Sequence, residues 1–247
     1  MQNASLGIVG ALLVLVAGWL GGACGIGGVL MIPALAALEG VDPHKAIAAT
    51  SVAFAAMGAL AYLRFRHEGR PMVGGTTLMV ATAPGAALGG LLVHAIPAAN
   101  LMTALALLLI GSGLHAFRRA AGGEGSELAH APMACIGFAV GLGSALTGTG
   151  GAVLLVPILL TLRQPLQATI ASSIVIQLPI GGFGAIGHVA ARAVDFALAA
   201  QLSILLIAGA AAGRWCADRV PVALLRHGVT LLLVGVGVWI LLRQRGI

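Results

Sequence analysis

Two short glycine-rich segments, about half a chain apart, contain the residues of this sequence best suited to hold a solute. One runs from Gly25 to Pro33 and the other from Gly148 to Pro157, and both lie inside long apolar runs. Glycine and proline interrupt helices, and a helix that begins within such a run presents free backbone N–H groups and a positive dipole end. Such an end binds an anion without a lysine or arginine. We interpret the two segments as parts of one anion site; the alternative is that the glycines only allow close helix packing.

Uncharged polar side chains follow each glycine segment at matching positions. Thr50 and Ser51 come early in the next apolar run of the first half, and Ser172 and Ser173 do so in the second half. Their hydroxyls suit the oxygen atoms of a small oxyanion, but hydroxyls in helices equally bond back to carbonyls or cap the helix. The predicted substrate-binding residues are Gly25, Gly27, Gly28, Thr50, Ser51, Gly148, Thr149, Gly150, Gly151, Ser172, Ser173 and Gln177.

Two further features lie in the apolar run that contains Ser173. Gln177 stands two residues before Pro179, which predicts a bent helix beside the path of the solute. An amide that bonds across two helices is the alternative interpretation of Gln177. His188 is the candidate for proton coupling, because the charge of a histidine changes near neutral pH.

Other ionisable residues are few, and most lie near expected membrane interfaces. The groups in 64–68 and 192–195 fit orientation signals and snorkelling arginines. A pairing of Ser144 with His188 is the basis of one alternative, an intramembrane serine hydrolase. The residues around Ser144 lack the second glycine of a nucleophile elbow, which disfavours it. No paired His, Cys or acidic residues occur at ligand spacing within a span, so we expect no metal site.

The composition is that of a membrane protein. The chain has 247 residues, of which 60% are hydrophobic and only 8% charged, with a mean hydropathy of +1.07. A soluble domain carries about 25% charged residues. The apolar runs are long enough to cross a bilayer core of roughly 30 Å. We therefore expect a multi-pass membrane protein, and the net charge of +6 is attributed to orientation signals and not to nucleic-acid binding.

The sequence is an internal duplication. Pro33 and Pro157 are separated by 124 residues, and several glycine pairs and Pro97 with Pro221 share that separation. Each half contains one glycine-broken run, 5–38 or 131–162, followed by three spans. Those spans are 44–66, 72–94 and 98–117 in the first half, and 165–191, 196–216 and 221–242 in the second. The predicted domains are a first transmembrane repeat at 1–117, a hydrophilic linker at 118–130 and a second transmembrane repeat at 131–247.

The glycine-broken run decides the topology of each half. If it crosses the membrane once, the two halves are parallel; if the chain turns back at the glycines, they are inverted. The turn-back arrangement places nine of the thirteen Lys and Arg residues on one side, against eight for the single crossing. We therefore favour an all-α transmembrane bundle of two inverted repeats, with the basic side cytoplasmic.

These motifs resemble the sulfite exporter family TauE/SafE over essentially the whole chain. The resemblance rests on the two glycine–proline segments and on the Ala49-Thr50-Ser51-Val52 and Ala171-Ser172-Ser173 runs. It implies an inner-membrane permease that exports sulfite, sulfonates or related organosulfur anions. One departure is that Val29 stands where the usual pattern has a third glycine, and Gly28 lies one residue closer to Pro33 than Gly151 lies to Pro157.

The leading hypothesis is accordingly a secondary transporter that moves a small anion by alternating access. The chain contains no phosphate-binding loop of the type used by ATPases, so we expect a proton or potential gradient as the driving force, no enzymatic activity and no cofactor. The expected partners are the anion, the lipid bilayer and a second copy of the chain. A non-transporting membrane scaffold is the main alternative, and it predicts that bulky substitutions at Gly150 or Ser173 are silent.

Overall fold

The computed structural model describes residues 6–25, 27–118, 128–217 and 222–244, and this part of the chain is an all-α bundle. Most of the predicted linker, 119–127, and Pro221 lie outside the described residues. The α-helices are α1 (Ile8–Cys24), α2 (Met31–Leu38), α3 (Pro43–His67), α4 (Gly75–Leu92), α5 (Ala98–Arg118), α6 (His130–Thr147), α7 (Ala152–Thr161), α8 (Leu166–Val175), α9 (Gln177–Ala190), α10 (Phe196–Ala217) and α11 (Val222–Gln244).

The helices follow one another in the same order in both halves. In each half a first helix ends at the glycines and a short helix follows, α2 or α7. Three longer stretches come next: α3, α4 and α5 in the first half, and α8 with α9, α10 and α11 in the second. Five described stretches are long and apolar enough to cross a membrane: Pro43–His67, Gly75–Ala95, His130–Thr147, Leu166–Ala190 and Phe196–Cys216. The predicted fold class, a polytopic helical membrane bundle with glycine-broken first segments, is confirmed.

The predicted span 165–191 is interrupted near its middle. Helix α8 ends at Val175, Ile176 forms a turn, and α9 begins at Gln177. Pro179 explains the interruption, because proline has no N–H to donate to the carbonyl of Val175 four residues earlier. The helix is therefore interrupted where the proline predicts a bend, and Gln177 lies at the junction of α8 and α9.

Glycines lie where two pairs of helices pack closely together. Helix α1 packs on α10, and α4 packs on α6. A Cβ atom placed on Gly22 would collide with the carbonyl oxygen of Ala210, and one on Gly141 would collide with that of Thr82. Small residues allow helix backbones to approach closely in membranes. Close packing is thus the role of these glycines.

Counterpart helices of the two halves run antiparallel where they meet. Gly58 of α3 lies against Leu178 of α9, while Gly181 lies further along α9 and contacts Ala55, earlier in α3. Helices α5 and α11 behave in the same way: Gly237 lies against Ile110, and the Thr103 hydroxyl donates to Gln244 Oε1 at 2.8 Å. Gly58 and Gly181 are separated by 123 residues, and so are their partners Ala55 and Leu178.

We expect Gly22→Val to destabilise the bundle, because its side chain has no room against the α10 backbone. Overpacking of this kind costs about 1–3 kcal/mol. The matched control is Gly111→Val on α5, since a Cβ atom at Gly111 meets nothing within 4 Å. Thermal unfolding of the two variants in detergent measures the effect. Equal melting temperatures would contradict the packing role of Gly22.

Candidate functional site

Both glycine segments interrupt their helices, as the sequence predicts. Helix α1 ends at Gly25, whose φ of 80° lies in the left-handed region. In the second half the interruption is wider, since Gly148, Gly150 and Gly151 have φ values of 62°, 72° and 94°. Side chains are disfavoured in this conformation and glycine adopts it freely. The residue type therefore explains why the helices end here.

The two interruptions differ in shape. After Gly25 the chain forms a 3-10 turn, Gly27–Leu30, that runs directly into α2. In the second half no helical turn separates Gly148 from α7, which starts at Ala152 without a side-chain cap. Leu154 and Leu155 donate their N–H groups to the carbonyl of Gly151, and the two N–H groups before them, of Ala152 and Val153, have no carbonyl within α7 to bind. The more open helix start is therefore that of α7, in line with the shorter spacing in the first half.

The two interruptions meet each other and contact the same aromatic ring. A Cβ atom placed on Gly28 would lie 2.5 Å from Cζ of Phe54 and 2.8 Å from the carbonyl oxygen of Thr149. One placed on Gly150 would lie 3.4 Å from three carbons of the same ring. Phe54 itself is 2% exposed. The structure thus brings together residues about 120 positions apart, with Phe54, which sequence reasoning missed, at their centre.

Four of the five predicted hydroxyls, those on α3 and α8, are buried. Each donates its hydroxyl hydrogen to a carbonyl in its own helix, so the helix-bonded alternative describes this conformation. The bonds run from Thr50 to Ile47 at 3.0 Å, from Ser51 to Ile47 at 2.8 Å, from Ser172 to Ala168 at 2.8 Å and from Ser173 to Ile170 at 2.8 Å. An anion needs donors, so these hydroxyls have to rotate before they bind one.

Two of the hydroxyls have distinct further contacts. The Ser172 hydroxyl accepts a hydrogen bond from the backbone N–H of Val73 at 2.7 Å, which attaches α8 to the segment before α4. Ser173 lies across from the first interruption, since a Cβ atom on Gly25 would be 2.6 Å from its Oγ. Thr149, within the second interruption, has its Oγ1 3.2 Å from that of Thr147. Ser173 and Thr149 are thus the hydroxyls nearest the glycines.

Among the described residues, four buried side-chain atoms have no hydrogen-bond partner. They are Ser144 Oγ, Thr169 Oγ1, Gln177 Oε1 and His188 Nε2. A buried polar atom without a partner costs about 1–3 kcal/mol, so each requires an explanation. Gln177 is 2% exposed and belongs to the predicted site. Its free oxygen at the junction of α8 and α9 distinguishes it from the hydroxyls.

The nucleophile and base of the hydrolase alternative are not paired. Ser144 Oγ and His188 Nε2 both lack a partner, and Nδ1 of His188 lies 3.0 Å from Nε2 of His94. A serine nucleophile needs its base within hydrogen-bond reach. This arrangement does not activate Ser144.

The charged residues near the ends of the spans have structural partners. Arg64 and Arg70 donate to the carboxylate of Glu68 at 2.5 and 2.7 Å, and these bonds, that of Arg64 first, lower the pKa of Glu68 to about 2. Asp195 accepts from the N–H groups of Ala197 and Leu198 and so caps α10. These groups stabilise helix ends.

Comparison with known proteins places the chain in a family. A search of curated proteins and a search of solved structures found no significant match. The family model described as Sulfite exporter TauE/SafE matches residues 10–240, which include both glycine interruptions and every predicted site residue. Because the match covers almost the entire chain, this membrane protein belongs to the sulfite exporter TauE/SafE family.

Proposed function

We propose that this protein is a secondary transporter that exports a small sulfur-containing anion, either sulfite, a sulfonate or a related organosulfur anion. The observation that supports this most directly is the convergence of the two glycine interruptions on Phe54. The family match supports anion transport across a membrane. We place the protein in a bacterial inner membrane, with the Arg64–Arg70 end of α3 on the cytoplasmic side.

The proposed site binds its anion with neutral donors. The uncapped N–H groups at the start of α7 and the positive end of its dipole provide the attraction. The hydroxyl of Thr149, the hydroxyl of Ser173 and the side-chain amide of Gln177 add donors around the oxygens of the anion. Among the described residues, no lysine or arginine is buried, so these neutral donors provide the attraction without a full positive charge.

We infer that the halves form inverted repeats and exchange access by rocking against each other. The antiparallel contacts of α3 with α9 and of α5 with α11 support this relation, because a two-fold axis in the membrane plane reverses each counterpart helix. The Phe54 ring packs against both interruptions and so ties the site to α3.

Flux measurements in proteoliposomes test the proposal. Radiolabelled sulfite, sulfate and taurine-like sulfonates are offered with and without a pH gradient, and protein-free liposomes give the passive rate. We expect saturable flux of sulfite or a sulfonate that exceeds that of sulfate. The absence of saturable flux for every anion would reject the transporter.

The same assay distinguishes the scaffold alternative. A scaffold has no need of a polar cavity, so Gly150→Leu and Ser173→Leu then leave its cellular function unchanged. For the transporter, both substitutions fill the meeting point and suppress flux. Retention of flux at the wild-type rate in both variants would argue against this binding site.

A further inference from the structure

Three histidines form a cluster at the end of the bundle where α3 begins and α9 ends. His94, in the 3-10 turn after α4, has its Nε2 atom 3.0 Å from Nδ1 of His188, and the two ring centroids are 5.1 Å apart. The ring of His44 stacks on that of His94 at 5.9 Å, and its Nε2 donates to the carbonyl of Ile96 at 3.0 Å. Its Nδ1 lies 3.5 Å from Oδ1 of Asp42.

The cluster extends from the surface to the interior. The side chain of Asp42 is 53% exposed and that of His44 is 24% exposed, whereas His188 is fully buried. At the inner end, Nε2 of His188 has no partner. Ionisable groups buried in a membrane protein are expensive and usually functional. The proposed anion site uses none of these three histidines as a donor.

Hydrogen-bond chemistry allows this pair to pass a proton. The contact between His94 Nε2 and His188 Nδ1 holds one hydrogen, so one ring donates and the other accepts. When Nδ1 of His94 accepts a proton from water on the side of His44, the shared hydrogen passes from Nε2 of His94 to Nδ1 of His188, and His188 then releases the proton on its Nε2 to a water molecule on the inner side. Each ring ends with the number of protons it began with, and one proton has moved inward.

Few other ionisable groups in the described part of the chain lie near the pair of His94 and His188. Within the described residues, the ionisable groups that act on His188 are His94, from the turn after α4, and His44, from α3. Asp42 faces His44 at the start of α3. The two rings repel each other when both are charged, which disfavours protonation of both at once.

His188 has no histidine counterpart in the first half of the duplication. The separation of 123 residues that relates Gly58 to Gly181 places Phe65 at the position matching His188. Phe65 is covered by the guanidinium of Arg214, 4.5 Å from the ring centroid. The two ends of the duplicated fold therefore differ in chemistry, with an aromatic ring and an arginine at one end and the histidine pair at the other.

A single rigid element connects the cluster with the anion site. Helix α9 contains both Gln177 and His188, 11 residues or about 16 Å apart along its axis. Gly187, next to His188, packs directly on the backbone of Gly90 in α4. Protonation of His188 places a charge beside this close contact between α9 and α4. If α9 shifts in response, Gln177 moves with it, because both residues belong to the same helix.

We propose that His94 and His188 form a proton relay, entered past His44 and Asp42, that couples proton movement to anion transport. This inference rests on the proposed transport function and names its coupling ion and residues. His188 acts through α9 and does not touch the anion. Its loss therefore uncouples protons from the anion but leaves anion exchange intact.

The test measures two quantities in the same proteoliposomes: counterflow of labelled sulfite, and protons moved per sulfite, followed with a trapped pH dye. The acid–base equilibria of sulfite contribute equally per ion in every variant, and protein-free liposomes give the passive share. We expect His188→Gln to retain counterflow and lose the protein-dependent proton movement. The matched control is His130→Gln, because His130 pairs with Thr77 outside the cluster at 2.9 Å and should change neither quantity.

Each possible result of this test either supports or rejects a specific part of the proposal. Absence of counterflow in the wild type rejects the proposed transport function itself. Wild-type counterflow without protein-dependent proton movement, or unchanged proton movement in His188→Gln, overturns the relay while transport stands. If His188→Gln loses both quantities, His94→Gln decides, since His94 is less buried: retained counterflow without proton movement supports the relay, and any other result overturns it.

Discussion

Replacement of Gly28 by alanine abolishes anion flux, if the two interruptions form the substrate site. The added Cβ atom would lie 2.5 Å from Phe54 Cζ and 2.8 Å from the carbonyl oxygen of Thr149, closer than real Cβ contacts come. One neighbour is a packed ring and the other is backbone, so neither gives way cheaply. The two glycine segments must move apart, and a site that depends on both loses its geometry. We expect flux to fall at least about 100-fold, since misplacement by about 1 Å costs that much in a positioned site.

The control for this experiment is Gly182→Ala on α9. A Cβ atom at Gly182 meets nothing within 4 Å, so the variant tests glycine replacement in the same core without a collision. Gly150→Ala provides an intermediate case, because its Cβ atom meets the Phe54 ring at 3.4 Å, an ordinary contact, and the cost is confined to a φ of 72°. The expected order of flux is Gly182→Ala, then Gly150→Ala, then Gly28→Ala. Normal flux in well-folded Gly28→Ala protein would show that the convergence has no part in transport.

The part of this architecture that follows from local rules is predictable from the sequence. Gly25, Gly148, Gly150 and Gly151 adopt left-handed backbone angles, and the helix ends they cause were predicted from glycine alone. Pro179 likewise predicts a bend, because the missing N–H acts within its own turn. Membrane location follows from composition. These are properties of single residues or of short segments.

Contacts between residues far apart in the chain could not be predicted from the sequence. Phe54 follows Thr50 by one helical turn and looks like any core aromatic until packing places Gly28 and Gly150 against its ring. The pair His94 and His188 depends on the meeting of α4 with α9, and nothing in either segment signals the other. The duplication does contain one signal. When the two halves are aligned at a separation of 123 residues, His188 stands where the first half has Phe65.

The hydroxyls show why residue type alone does not decide a role. Thr50 and Ser173 were assigned to the anion, and each occupies its donor hydrogen with a carbonyl of its own helix. Their participation stays a prediction. Gln177 differs, because its free oxygen leaves a buried polar group for which the folded chain provides no use. Substitution of a hydroxyl therefore removes a hydrogen bond that the fold uses, whereas substitution of Gln177 removes an amide whose oxygen the fold does not use.

Substitution of Gln177 by leucine is expected to weaken anion binding strongly without destabilising the fold. Leucine has a similar size and removes an amide whose oxygen is buried and unpaired, at a saving of up to about 1–3 kcal/mol. If the amide N–H groups bind the anion, their loss removes a hydrogen bond to a charged group, worth about 1.5–3 kcal/mol. The apparent KM for sulfite or sulfonate should therefore rise about 10- to 100-fold, while the melting temperature stays constant or increases.

The matched variant is Thr169→Val on α8, which also removes a buried, unpartnered side-chain oxygen at nearly constant volume. Both variants relieve the same kind of polar burial, so both should be at least as stable as the wild type in detergent. Only Gln177→Leu should raise KM, because Thr169 is outside the predicted site. If Gln177→Leu lowers the melting temperature and keeps the wild-type KM, the amide connects helices and the anion is bound elsewhere. Equal KM increases in both variants would point to a general change in α8–α9 packing, since the two substitutions then act through the helix and not through a donor.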